Sequence, residues 1–318
     1  MSHARPLRVV VTGGAGRLGR SVVRALAAAG HDIVSIDREP AAGLPARQLT
    51  ADLLDADAAR GVFADARPDA VVHLAAIAVP GSRPDAEIFD VNTRLVWNVL
   101  EASLAAGARA LMVASSPTVI GYGAPSGWTP SYLPLDEDHP VAPWNGYAAS
   151  KVAVEEIMRM AVRRDGHRMR FAAFRPGYVI APEEWAGAPT QQGHTIAERL
   201  ADPALSAVAL FNYLDARDAG DFVTAWIDGA HDVPNGEVFF VAAPDSLVDA
   251  PIASSLAAHV PLIAEAAAGL RGDAAVFSSA RAERLLGWRA RRTWRDELTE
   301  RAASTVAPAP HPPEDDLV

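Results

Sequence analysis

The chain has 318 residues, half of them hydrophobic, with a formal net charge of −10 and no cysteine. That length supports a large core without disulfide or metal staples, and the missing thiols exclude disulfides, thiolate chemistry and thiol-ligated zinc. The acidic balance argues against nucleic acid or an anionic membrane as partner. No run approaches the roughly 20 apolar residues that span a bilayer, and MSHARPLRVVVTGG has no signal-peptide pattern, so a cytoplasmic protein is expected.

Residues 7–12 (LRVVVT) read as a buried strand and 16–29 as a helix with Leu18, Val22, Val23 and Leu26 on its apolar side. Strands are predicted at 33–37 and 48–52, a helix at 57–66, a strand at 70–75, a helix at 90–106 and a strand at 110–115. Residues 121–146 are rich in proline, glycine and aromatics, and a loop so long in a compact domain is either functional or disordered. A helix at 147–164 and a strand at 169–180 follow. Alternating strands and helices imply parallel strands with right-handed crossovers, an α/β Rossmann-type doubly wound sheet. Residues 1–180 are expected to bind a dinucleotide. Residues 181–305 form a smaller C-terminal substrate-binding region, with 213–241 (a helix at 218–229 and a strand at 237–241) returning to the core. The proline-rich acidic tail 306–318 is expected to be disordered.

TGGAGRLG, residues 12–19, lies between the first strand and the first helix. Glycines there allow a tight turn and close approach to a pyrophosphate, whose charge the helix N-terminus stabilises. Gly14, Gly16 and Gly19 satisfy G-x-G-x-x-G, and Gly13, Gly16 and Gly19 a G-x-x-G-x-x-G spacing. The strand-before, helix-after context favours cofactor binding over a plain turn. Asp37 ends the second strand, where a carboxylate accepts from the adenosine ribose hydroxyls and repels a 2′-phosphate. NAD is therefore expected over NADP, with the adjacent Arg38 leaving NADP open.

Tyr147 and Lys151, four apart, share one face of a helix. A nearby ammonium favours the phenolate of a tyrosine, whose ordinary pKa is near 10. Tyr147 can then exchange a proton with a substrate hydroxyl or carbonyl as hydride moves at the adjacent carbon. Ser116, with Ser115, closes the fifth strand at the carboxyl edge of the sheet, where ligands bind, and can orient the substrate oxygen. The histidines make no metal-ligand spacing. His73 reads as a core histidine, 136–139 (DEDH) as an acidic loop and 289–295 (RARRTWR) as decoration of a terminal helix.

Together these residues resemble the extended short-chain dehydrogenase/reductases, the NAD-dependent epimerase/dehydratase family. TGGAGRLG resembles its glycine motif, which assigns Gly13, Gly16, Arg17, Leu18 and Gly19 to the cofactor. The resemblance also assigns Asp52 and Leu53 to the adenine, and Leu74, Ala75, Ala76 and Pro176 to the nicotinamide side. Asn92 matches a helix position often held by asparagine. Ser116, Tyr147 and Lys151 fall on the catalytic Ser/Thr, Tyr and Lys, with Tyr147 and Lys151 also at the cofactor, where Lys151 positions the ribose, while Thr118 and Tyr178 are expected beside Ser116 and Tyr147 at the substrate. Members often dimerise through two helices, which fall near Asn92 and Tyr147 here and imply a homodimer.

Departures narrow the expectation. Pro117 and Thr118 replace the acidic pair of the dehydratases, and FNYLDARD is less basic than the return segment that holds nucleotide phosphates in the epimerases. VASSPTVIGY is similar to the corresponding segment of uronate dehydrogenases. The leading expectation is an NAD-dependent oxidoreductase acting on a hydroxyl-bearing carbon of a sugar, sugar acid or similar polyol. The alternatives are a UDP-sugar 4-epimerase with retained NAD and a non-catalytic cofactor-sensing binding protein. Trp128, Tyr132, Trp144, Tyr178 and Trp185 either flank the cleft or fill the core.

Overall fold

The run RVVVT has no polar alternation, and in the computed structural model, which describes residues 6–299, it forms the central strand β1 (Arg8–Thr12), almost wholly buried. Burial on both faces is what a parallel sheet covered by helices requires. In chain order follow α1 (Arg17–Ala28), β2 (Asp32–Asp37), β3 (Arg47–Thr50), α2 (Ala56–Ala66), β4 (Ala70–His73), α3 (Asp85–Ala105), β5 (Ala110–Ala114), α4 (Gly146–Asp165) and β6 (Arg170–Pro176). Then come β7 (Val179–Ile180), the short helices α5 (Pro182–Trp185), α6 (Ile196–Ala201) and α7 (Ala204–Ala207), and β8 (Leu214–Asp215). The described chain continues through α8 (Ala216–Gly229), β9 (Glu237–Val241), α9 (Ile252–His259), α10 (Ala264–Ala267) and α11 (Ala280–Leu286).

Seven strands form one parallel sheet in the order β3-β2-β1-β4-β5-β6-β9, and β7 and β8 form a separate parallel pair. The order reverses between β1 and β4, which opens a crevice at their carboxyl ends. This is a Rossmann-type α/β fold. One face of the sheet is covered by α1 and α8 through Val22, Leu26, Phe222 and Trp226, with Trp288 behind them. The other is covered by α2, α3 and α4 through Phe63, Val99, Leu100, Val154 and Met158. α1 and α8 pack closely because residue 220 is glycine: a Cβ there would lie 2.8 Å from the Ala25 Cβ. A further apolar cluster, with Val119, Leu135, Phe240, Ile252 and Phe277, joins the long loop to the C-terminal helices.

Three sequence expectations need correction. The strand predicted over 169–180 is two strands: β6 ends at Pro176, and the chain crosses to the β7–β8 pair through Gly177, where a Cβ would sit 2.8 Å from both Asn212 Oδ1 and the Tyr213 carbonyl. α3 starts at Asp85 rather than at 90, because Asp85 and Glu87 favour a first turn that the apolar periodicity does not mark. The basic run 289–295 is tied inward: Arg292 pairs with Asp218 and Asp221, and Arg295 with Asp245 and Asp273. The tail expectation, 306–318, lies outside the described residues. No helix among the described residues is long and apolar enough to cross a membrane.

Candidate active site

At the switch point the chain leaves β1 through a turn compressed against its neighbours. Gly13 has φ +71°, and a Cβ on it would lie 2.7 Å from the Ala75 amide nitrogen; one on Gly19 would lie 2.1 Å from the Gly13 carbonyl oxygen. Both glycines are dictated by the protein's own packing. Gly16 is different. It caps α1 with φ −69°, which any residue adopts, and its Cβ would meet only the Gly13 oxygen, at 3.2 Å. Its exposed side opens beside the α1 N-terminus, where unpaired N–H groups and the helix dipole favour an anion. The geometry fits a pyrophosphate.

Asp37 stands at the end of β2 beside this turn and accepts from the Ala15 amide at 3.1 Å and its neighbour Arg38's amide at 2.7 Å. Its carboxylate is thereby fixed and keeps capacity for ribose hydroxyls. Asp52 is exposed and accepts from the Leu54 amide, while Leu53 is buried and its carbonyl accepts from Asn98 at 2.9 Å. Leu74, Ala75 and Ala76 follow β4 across from Gly13 and are half-buried, as are Leu18 and Pro176. Arg17 turns toward α5, pairing with Glu184 and donating to the Pro189 carbonyl at 3.2 Å, and Arg20 pairs with Glu183. Asn92 is occupied by the protein: it accepts from the Ile77 amide at 2.8 Å and donates to the Ile77 carbonyl and to Ser150 Oγ. It therefore acts by fixing the segment after β4 against α4.

Tyr147 and Lys151 are both buried, on the first turns of α4, which Asn145 caps by accepting from the Ala148 amide. Lys151 Nζ lies 5.6 Å from the Tyr147 ring centroid and donates to the Ala114 carbonyl, at the end of β5, at 2.9 Å. Ser116 follows that strand, buried, and its Oγ accepts from the Thr118 amide and from Thr118 Oγ1 at 2.9 Å. The structure thus brings Ser116, Tyr147 and Lys151 together. Burial pushes the Tyr147 phenol above its ordinary value, and hydrogen bonding with Ser116 opposes this. Burial sets the direction, because a buried phenolate loses its hydration. Burial brings Lys151 down to about 8 against the pull of Glu155. His73, on β4, is held neutral: burial and the Lys151 charge bring it down to about 3, and its Nδ1 lies 2.7 Å from Thr12 Oγ1.

Sequence reasoning missed a buried ionic network behind Lys151. Glu155, one helical turn further along α4, accepts from Ser115 Oγ at 2.6 Å and from Arg175 Nε and Nη2 at 2.8 and 2.9 Å. The spacing of Lys151 and Glu155 was visible, but only the β5–β6 pairing puts Ser115 and Arg175 beside them. The aromatics divide. Trp185 is buried with its Nε1 donating to Asp215, and Trp144 is half exposed. Tyr178 lies under the Arg199 guanidinium, 4.3 Å from ring centroid to Cζ. In the acidic loop, Glu137 and Asp138 pair with Arg281.

The chain is similar to several known proteins. The chain is 33% identical over 176 residues to UDP-glucose 4-epimerase of Lacticaseibacillus casei, covering 53% of this chain and 50% of that one. It is 36% identical over 168 residues to the 3-diazoavenalumate denitrifying reductase of a Streptomyces species, covering 50% and 53%. The chain spans about half the length of the curated relatives it matches. Among solved structures, a short-chain dehydrogenase/reductase superfamily protein from Agrobacterium tumefaciens with bound NAD superposes with a TM-score of 0.68 at 25% identity, covering 94% and 97% of the two chains. UDP-glucose 4-epimerase from Stenotrophomonas maltophila gives 0.67 at 22%, covering 95% and 100%, a likeness of fold. Residues 9–242, from the second residue of β1 to just past β9, match the model of the NAD dependent epimerase/dehydratase family, and the chain belongs to that family.

Proposed function

We propose that the protein is an NAD-dependent oxidoreductase in which Tyr147 exchanges a proton with the oxygen of a hydroxyl-bearing carbon while hydride leaves or joins that carbon. The observation that carries this reading is the convergence of Ser116, Tyr147 and Lys151 at the carboxyl ends of β4 and β5, beside a cradle suited to a dinucleotide. NAD bound there supplies the hydride acceptor or donor. Ser116 Oγ, already oriented by Thr118, holds the reacting oxygen toward Tyr147. Charged Lys151 stabilises the phenolate that forms when Tyr147 gives up its proton. Asn92 and Ser150 brace the backbone of α4 at Tyr147, whose carbonyl accepts from Ser150. The Asp37 carboxylate favours NAD over NADP by repelling a 2′-phosphate.

A sugar, sugar acid or similar polyol is the proposed substrate class, and the test is direct. Purified protein is mixed with NAD and a panel of sugars, uronic acids and UDP-sugars while NADH absorbance is followed. Formation of NADH with one class, lowered about 100- to 10,000-fold in Tyr147→Phe, supports the reading; the factor is that of a lost general acid–base. Equal rates in parent and variant sink it.

A second reading, an epimerase that retains its NAD, is favoured by one feature of the site and by the names of several relatives. The pairing of Arg17 and Arg20 with Glu184 and Glu183 holds α5 against the first turns of α1, beside the cofactor cradle, and relatives from Lacticaseibacillus casei and Azospirillum brasilense are UDP-glucose 4-epimerases. Substrate isomerisation without net NADH distinguishes it. Assembly as a homodimer through α3 is supported by two large apolar side chains it leaves exposed, Phe89 and Trp97, and sedimentation measures it.

A further inference from the structure

Tyr147, Lys151 and Glu155 stand four residues apart on α4 and so form one stripe along the helix. Three consecutive residues at the end of β5 meet this stripe. Ser116 hydrogen-bonds with Tyr147, the Ala114 carbonyl accepts from Lys151 Nζ at 2.9 Å, and Ser115 Oγ donates to Glu155 Oε1 at 2.6 Å. The first two contacts belong to the proposed chemistry. The third lies between them in the chain, one peptide bond from each.

Glu155 is itself held from the far side. Arg175, the residue before the end of β6, donates from Nε to Oε1 at 2.8 Å and from Nη2 to Oε2 at 2.9 Å. On the outer side Arg159 lies 3.6 Å from Oε2. The Arg175 guanidinium rests over the Phe240 ring of β9, 5.1 Å from Cζ to centroid. Its neighbour Phe174 accepts from the Ser115 amide at 2.7 Å. Ser115 is thus held at both its amide and its hydroxyl.

Stability alone does not account for this arrangement. Glu155 and Arg175 are each only 1% exposed. A buried ion pair recovers little more than the hydration it loses, and well-packed apolar side chains of similar volume often hold a fold as firmly. This pair also leaves Arg175 Nη1 buried with no hydrogen-bond partner among the described residues, a cost that apolar side chains would not carry. Apolar contacts, however, do not fix direction. Charged hydrogen bonds are short and angular, and here they end on the residue that separates the Lys151 partner from Ser116.

We propose that Arg175, Glu155 and Ser115 are positioning residues for the proton exchange at Tyr147. They clamp the backbone of residues 114–116 so that the Ala114 carbonyl seats Lys151 Nζ and the Ser116 hydroxyl meets Tyr147. They act through Lys151 and Ser116. The proposal rests on the reading of Tyr147 as the proton-exchanging group, and it adds to that reading the residues that aim its partners.

Lys151 is the only lysine of the chain, which makes the test specific. Full-length protein labelled with ε-13C-lysine gives one side-chain resonance, and the Tyr147 ring, 5.6 Å from Nζ, makes it sensitive to where the ammonium sits. Glu155→Gln strands the Arg175 charge and is expected to cost much of the stability. Ser115→Ala therefore carries the test, since it removes one hydroxyl and leaves the Glu155–Arg175 pair in place. Ser103→Ala is the control: Ser103 is a buried serine of α3 whose hydroxyl donates to the Val99 carbonyl. In cofactor-free protein, Ser115→Ala should move the Lys151 resonance. With NAD and substrate it should lower kcat about tenfold, the loss expected of one hydrogen bond to a charged group, while the KM for NAD holds. Ser103→Ala should melt lower but keep the parent resonance and kcat. A parent-like resonance or kcat in Ser115→Ala, or equal changes in Ser103→Ala, overturns the proposal. The resonance is read without cofactor or substrate, so it judges the clamp even where no substrate is turned over. The Tyr147→Phe rate comparison decides the hydride reading separately.

Discussion

Lys151 is an ammonium kept almost wholly from water, with the Ala114 carbonyl as its hydrogen-bond partner. Its folded pKa of about 8 lies below the ordinary lysine value of 10.5, so between these two values the unfolded chain binds the extra proton. The cost to the fold is complete below about pH 8 and disappears as pH rises toward 10.5; it is on the order of 3 kcal/mol. In cofactor-free protein, Lys151→Met should be more stable than the parent at pH 7, and the gap should close by pH 10. Urea melts at the two pH values measure this, and a variant less stable at pH 7 contradicts it. The same variant should be inactive, an outcome that would separate a role in chemistry from one in the fold. Glu155 is the opposite case. Glu155→Gln leaves Arg175 as an uncompensated buried cation, and breaking such a pair costs about 3–5 kcal/mol. Thermal unfolding should show it as a large drop in Tm.

At the scale of elements, the turn from β1 to α1 separates glycines that the packing dictates from one, Gly16, that it does not. Gly19→Ala forces a Cβ onto the Gly13 carbonyl and should lower Tm and abolish NAD binding together. Gly16→Ala adds only a 3.2 Å contact, so Tm should hold within a few degrees while the Kd for NAD rises about tenfold or more. Fluorescence titration beside a melting curve separates the two, and equal loss of Tm in both variants would contradict the assignment. Such a turn is legible from sequence because its chemistry is packed into eight consecutive residues. The Tyr147–Lys151 pair is legible for a similar reason, since one helix fixes its geometry. Ser116 and Asp37 were readable as strand ends in an alternating pattern. The cover was not: α5, α6 and α7 span four to six residues each, too few turns to display a period. The Glu155–Arg175–Ser115 network escaped because it joins a helix to two strands whose neighbours only the sheet order reveals.

Across the molecule, the segment after β6 is tied to α1 by the ion pairs of Arg17 and Arg20 with Glu184 and Glu183. Glu184 is almost completely buried, and burial pushes its carboxyl up. Glu184→Gln should release NAD faster, by about tenfold if a charged hydrogen bond worth about 1.5 kcal/mol is lost. Stopped-flow displacement of NAD reads this rate; an unchanged rate means α5 does not hold the cofactor in. The packing of α8 on α1 has a further consequence, for a chain emerging from the ribosome. Val22, Val23 and Leu26 of α1 are made early, yet they share a cluster with Phe222, Val223 and Trp226 of α8, which are made some 200 residues later. Synthesis at about 5–20 residues per second leaves that apolar stripe uncovered for roughly ten seconds or more. The nascent N-terminal half is thus a natural client for chaperones, and chains truncated before α8 should aggregate where full-length chains remain dispersed.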